Sequence, residues 1–151
     1  MGRKEEVELT NMCMICDKKG NVLVQDKKNH PTWHGWNFPG GHVEQGEYVT
    51  PSVIREMKEE TGLTICRPRL CGVKQFPIEG GRYLVFLFET EAFEGELRSS
   101  DEGEMRWISR SELKHIETVD DLETMVDVML SPSLTEFQYL VNGGDWTVQI
   151  R

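Results

Sequence analysis

The stretch GHVEQGEYVTPSVIREMKEETGL, from Gly41 to Leu63, decides how the rest of the chain is read. Within it Thr50 is a suitable N-cap, Pro51 suits a first helical turn, and Gly62 supplies the left-handed residue that stops a helix. The pattern predicts a helix at about 51 to 61. At about 100° per residue, Glu56, Glu59 and Glu60 share one arc of that helix, while Val53, Ile54 and Met57 occupy a neighbouring arc. One side buries and the other gathers negative charge.

Like charges three and four residues apart oppose helix formation by a few tenths of a kcal/mol per pair unless a cation lies among them. Hard divalent ions take oxygen ligands, commonly a few carboxylates completed by water and phosphate. The alternative reading of Lys58-Glu59-Glu60 is a solvated helix face. The upstream residues weigh against it. Phe38-Pro39-Gly40-Gly41-His42-Val43-Glu44-Gln45-Gly46-Glu47 holds three glycines, which allow close approach of backbone to a ligand. Arg55 stands among the glutamates and can fork onto a carboxylate of this loop, with Glu47 as the natural partner.

Working outward, Val7 to Cys16 reads as a strand, Asp17 to Asn21 as a turn and Val22 to Gln25 as a returning strand, together a hairpin. From Asp26 to Gly46 the composition suits a shaped loop. Leu70 to Phe76, Tyr83 to Phe93 and Met105 to Ile108 read as strands, followed by a helix near Val119 to Leu130. Strands mixed with two helices out of strict alternation indicate an α+β fold. Leu134 to Arg151 carries no assignable pattern.

The chain has 151 residues, of which 38% are hydrophobic and 28% charged, the size and balance of one ordinary globular domain. No apolar run approaches the roughly 20 residues of a membrane helix. The opening MGRKEEVELT lacks the form of a secretory signal, and Glu6 stands where a myristoylation signal takes Ser or Thr, so a cytoplasmic location is expected. A net charge of -9 argues against a nucleic acid duplex as partner, because binding to phosphate backbone needs a basic surface. Cys13, Cys16, Cys66 and Cys71 include one two-residue spacing that fits zinc, but residues three apart on a strand face opposite ways, and buried free thiols are the other reading.

The segment from Gly41 to Leu63 matches the Nudix box at every defined position, and the FPGG ahead of it, with Asp101 to Trp107 downstream, also resembles the MutT-type 8-oxo-dGTP diphosphatases. The resemblance implies an α/β/α sandwich with a mixed β-sheet, formed by residues 1–151 as a single domain, with the box as a loop-helix-loop. It implies hydrolysis of a diphosphate linkage with Mg2+ or Mn2+ held by Glu56, Glu59, Glu60, Glu102 and the Gly40 carbonyl, and with Glu47 and Arg55 in support. Glu56 and Glu102 are both candidates for the general base, with Glu56 preferred; Glu102 also reads as an ordinary surface acid.

Asn11, Phe38 and Asp121 resemble nucleobase-contact positions of oxidised-purine hydrolases. Trp33 and Trp36 are candidates for stacking or for local core, and Lys27, Lys28 and Arg82 for phosphate contacts or solvent-facing charges. The implied small-molecule substrate is 8-oxo-dGTP or a related purine nucleotide, cut to the monophosphate and pyrophosphate. Alternatives are dihydroneopterin triphosphate or a nucleotide sugar, a non-catalytic nucleotide sensor, and a zinc-stabilised module built on the cysteines.

Overall fold

The computed structural model describes residues 2–27, 30–101 and 103–151, so Lys28 and Glu102 lie outside the described residues. The longest pairing joins β1 (Glu6–Ile15) in parallel to β7 (Gly81–Thr90), in unbroken register from Glu6 opposite Gly81 to Ile15 opposite Thr90. β6 (Arg69–Ile78) runs antiparallel on the far side of β7, with an irregularity between Leu70 and Gly72. β4 (Gly40–His42) pairs antiparallel with the other edge of β1. The chain end completes this mixed sheet: β10 (Glu136–Asn142) adds in parallel to β6, and β11 (Asp145–Ile150) closes the edge. Among the described residues the sheet has six strands in the order β11-β10-β6-β7-β1-β4.

Two smaller sheets accompany it. β2 (Asn21–Asp26) lies between β3 (Trp36–Asn37) and β9 (Met105–Ser109), and β5 (Thr64–Cys66) pairs with β8 (Ala92–Glu94). Among the described residues the α-helices are α1 (Val49–Thr61) and α2 (Leu122–Leu130), with a 3-10 helix at Arg110–His115.

Alternation along the strands divides the interior. Met12 and Met14 of β1, Val22 and Val24 of β2, and Val85 and Leu87 of β7 pack in one cluster with Met125, Val128 and Met129 of α2. Their neighbours Cys13, Ile15, Leu23 and Phe88 pack on the other side with Val53 and Met57 of α1. Successive strand residues face opposite ways, so the sheets are a middle layer with one helix on each side. This is the α+β class that the element pattern predicts and the sandwich that the Nudix resemblance implies.

Several local expectations are corrected. The hairpin from Val7 to Gln25 does not form as a ladder: apart from an isolated bridge between Cys16 and Val22, β2 belongs to a different sheet. One edge of β1 is paired along its whole length with β7, and β4 and Pro39 take Thr10 to Cys13 on the other, where a returning strand would have to add. The intervening turn is as expected, with the Asp17 carboxylate accepting from the Lys19 and Asn21 N–H groups at 2.8 and 2.9 Å.

The first helix starts at Val49 with Tyr48 as its N-cap, two positions before the expected Thr50 cap. Pro51 fits inside the first turn because the N–H groups there have no intrahelical acceptor to lose. The strand expected from Tyr83 to Phe93 breaks at Glu91: the Thr90 hydroxyl donates to the Cys66 carbonyl at 2.7 Å and accepts from the Ala92 N–H at 3.1 Å, turning the chain towards β5. The second helix begins at Leu122, after Asp121 in a left-handed conformation with φ 61°. The unassigned tail forms β10 and β11.

Gly62 ends α1 with φ 81°, and a methyl there would meet the Glu96 carbonyl oxygen at 2.6 Å. Gly62→Ala combines left-handed strain with this backbone overlap and is expected to cost about 2 kcal/mol or more. Urea unfolding should show a lower midpoint at an unchanged slope.

Candidate functional site

The apolar stripe of α1 fixes the helix against the sheets, and this orientation presents Arg55, Glu56, Glu59 and Glu60 along its remaining surface. Arg55 is the centre of the arrangement. Its Nε and Nη2 donate to both oxygens of Glu47 at 2.8 and 2.9 Å, in a bidentate fork. Nη2 also donates to the His42 carbonyl at 3.0 Å, and Nη1 reaches Glu56 and Glu59, each at 3.0 Å. One guanidinium therefore ties the glycine-containing loop to two glutamates of the helix. The Arg55 hydrogen bonds, helped by the Glu44 N–H, hold the Glu47 carboxyl down at about 2, while its partners push Arg55 further up.

The three glutamates differ in setting. Glu56 is largely enclosed, with 14% of its side chain exposed, whereas Glu59 is 60% exposed and is drawn towards Arg55. Glu60 is buried. Glu56 and Glu60 line a cavity of about 310 Å³ together with Gly40 and Gly41. Gly41 is needed for this approach, because a Cβ at that position would overlap the Glu56 carboxylate. Among the described residues no three metal-binding side chains converge as a ready-made cage. The donors present are carboxylate oxygens beside a bare glycine backbone, a set that fits Mg2+ or Mn2+. The cysteines do not offer a comparable set: Cys13 packs on the α1 side of the sheet and Cys16 against the α2 cluster, so their spacing does not bring the thiols together.

The same cavity extends to a wall of rings and amides that includes Asn11, Trp33, Asn37, Phe38, Phe76 and Tyr83. Phe76 stacks on Tyr83 with centroids 4.8 Å apart, and Trp33 and Trp146 tilt against Phe76 at 6.1 and 5.7 Å. Asn11 accepts from the Gly41 N–H at 3.2 Å and donates to the Ser52 hydroxyl at 3.0 Å, so it fastens β4 and α1 to β1 as well as facing the cavity. Phe38 is buried in the wall.

Asp121 does not line the cavity; it accepts a 2.7 Å hydrogen bond from the Tyr139 hydroxyl. Lys27, His30 and His42 lie along the cavity. Trp36 is instead covered by the Arg106 guanidinium, 5.1 Å from its ring centre, and Arg82 is tied to Glu5 and Gln75.

Lys74, Asn37, Phe76 and Tyr83 escaped the sequence reading. The available signal was a lysine inside the apolar strand Leu70 to Phe76, two positions from an aromatic and so on the same face. Lys74 is only 7% exposed. Its ammonium lies 4.6 Å from the Trp33 ring centre, 5.2 Å from Tyr139 and 5.4 Å from Phe137. Burial brings its pKa down to about 8, against the opposing pull of Asp121 and Asp120.

Two stability tests follow from these shifts. Lysine binds its proton more tightly in the unfolded chain than in the folded one, so stability rises with pH from about 8 towards the ordinary lysine value. Lys74→Met is therefore expected to be more stable than the parent at pH 7, with the gap closing near pH 10, as read by urea unfolding at both values. Glu47 has the opposite sense: its depressed pKa contributes stability above the ordinary carboxylate range that is lost as pH falls towards about 2. Glu47→Gln should lower the unfolding midpoint at pH 7 and leave it nearly unchanged at pH 2.

The NUDIX domain profile matches residues 8–128. The uncharacterized Nudix hydrolase YvcI of Bacillus subtilis is 32% identical over 128 residues, covering 81% of this chain and 78% of that protein. The 8-oxo-dGTP diphosphatase of Buchnera aphidicola is 29% identical over 129 residues, covering 80% of this chain and 98% of that protein. Other relatives include an ADP-ribose pyrophosphatase. The crystal structure of a MutT protein from Bacillus halodurans superposes with a TM-score of 0.76 at 28% identity, over 95% of this chain and 97% of that one. With the box geometry and the sandwich in place, these matches make the chain a member of the Nudix hydrolase family.

Proposed function

We propose that the chain hydrolyses a purine nucleoside triphosphate, 8-oxo-dGTP or a close relative, to the monophosphate and pyrophosphate. The observation that carries this reading is a single cavity with the carboxylates of Glu56 and Glu60 in its lining together with an aromatic wall formed by Trp33, Phe38, Phe76 and Tyr83. A phosphate chain and a flat base need those two surfaces joined. The match to a Buchnera diphosphatase over nearly its whole length supports the same substrate class.

Glu56 and Glu60, with Glu59 and the Gly40 carbonyl, would hold Mg2+ or Mn2+. When bound, such an ion supplies charge neutralisation for the phosphate oxygens and acidifies water. The residues of the chain do the rest. Water attacks a phosphorus of the diphosphate, a P–O bond breaks, and pyrophosphate leaves; a carboxylate must take the water proton. We assign this to Glu56, whose carboxylate lines the cavity and accepts from Arg55, with Glu102, outside the described residues, as the other candidate. Arg55 keeps the loop from Gly40 to Glu47 fixed on α1, so the reacting groups need no rearrangement. Lys27 and His30, also on the cavity, are suited to the phosphate chain.

No helix among the described residues is long and apolar enough to cross a membrane. We place the activity in the cytoplasm, where nucleotides are held and the four free thiols stay reduced.

The test is a product assay with Mg2+ on a panel containing 8-oxo-dGTP, dGTP, dihydroneopterin triphosphate and ADP-ribose. Preferential release of pyrophosphate and 8-oxo-dGMP is expected, with turnover falling on the order of 100-fold or more in Glu56→Gln. Preferential cleavage of ADP-ribose would assign a nucleotide sugar instead. Binding without turnover of any member would make the chain a sensor.

A further inference from the structure

Lys74 projects from β6 into the cavity wall among aromatic rings, in a position where an ammonium ion has few ways to be satisfied. The residue is 7% exposed and lines the cavity, and among the described residues its ammonium makes no hydrogen bond or ion pair with a side chain. Its neighbours are ring faces: Trp33, Phe137 and Tyr139 surround it at 4.6 to 5.4 Å. The carboxylates of Asp121 and Asp120 act on it through space, and the Tyr139 hydroxyl donates to one oxygen of Asp121. Ring faces balance some of the charge but accept no conventional hydrogen bond. An ammonium that borders the cavity with ring faces around it and no side-chain hydrogen bond is free to donate to an acceptor lying in that cavity.

Phe76, two residues further along the same face of β6, forms with Tyr83 a stacked aromatic pair on the same cavity. A planar base lying in this part of the cavity would bring its edge towards the ammonium. We propose that Lys74 reads the base by donating to the carbonyl oxygen of a 6-oxopurine, thereby favouring guanine-type over adenine-type nucleotides. The 6-amino group of an adenine would turn hydrogens towards an ammonium that has no lone pair to accept them. This assignment rests on the purine reading of the site and names the residue that would select among purines.

Binding can be tested without hydrolysis by following tryptophan fluorescence, since Trp33 lines the cavity and Trp146 packs on Phe76. The metal-free protein is titrated with dGMP and with dAMP, alongside Lys74→Met and Lys74→Gln. The parent is expected to bind dGMP roughly tenfold or more tightly than dAMP, and the preference should collapse in Lys74→Met through weaker dGMP binding alone. Lys74→Gln, which can both donate and accept, should bind the two about equally. Equal parent affinities, a preference that survives both substitutions, no binding of either nucleotide, or equal weakening towards both, as a phosphate contact would give, overturns the assignment. Turnover separates the two conclusions: selective binding without hydrolysis of any triphosphate removes the proposed activity and leaves Lys74 as the reader. Hydrolysis with an unchanged purine preference in Lys74→Met does the reverse.

Discussion

The site depends on one guanidinium. Arg55 is asked to neutralise Glu47, Glu56 and Glu59 and to hold the His42 carbonyl, and its planar fork does this from a single position on α1. Without it Glu47, Glu56 and Glu59 would lose the cation that bridges them, and the loop would lose its tie to the helix. Lysine has the charge but lacks the fork, so only arginine satisfies both oxygens of Glu47 while also reaching the helix glutamates. Glu47, Glu56 and Glu59 are therefore held together by a charge that belongs to the protein.

The second constraint is the position of β1. Its two edges are occupied by β7 and β4, and its two faces are covered by different apolar clusters. Asn11, in the same strand, fastens Gly41 and Ser52. The loop, the helix and the cavity floor thus share one reference element, which is why a long irregular stretch between Asp26 and Gly46 can still deliver side chains to a defined place.

The parts legible in the sequence are those governed by local rules. The helix with its glycine stop, the glutamate arc and the Arg55–Glu47 fork all lie within one short segment, where helical geometry relates residue to residue. The strand cores of β1, β6 and β9 were legible because their apolar runs are buried on one or both faces. What escaped depends on partners distant in the chain. β2 reads as a hairpin strand until the occupied edges of β1 are known, and Thr90 breaks its strand through a carbonyl at Cys66. Lys74 reads as a charge in a strand until Trp33 of the long loop and Phe137 and Tyr139 of β10 close over it. The last eighteen residues showed no pattern because β11 is largely exposed and needs little apolar periodicity.

The final hairpin carries a wider consequence. β10 and β11 lie beyond residue 128, where the family match ends, yet Tyr139 and Trp146 pack against the Phe76 ring of the cavity wall. The carboxylate helix packs on β1 and β4, whereas the terminal hairpin adds to the sheet beside β6, so the two lie at different places on one sheet. Replacement or lengthening of the terminal hairpin would remodel the wall while leaving the box intact, giving this scaffold a way to diversify in what it accepts without reinventing how it cuts.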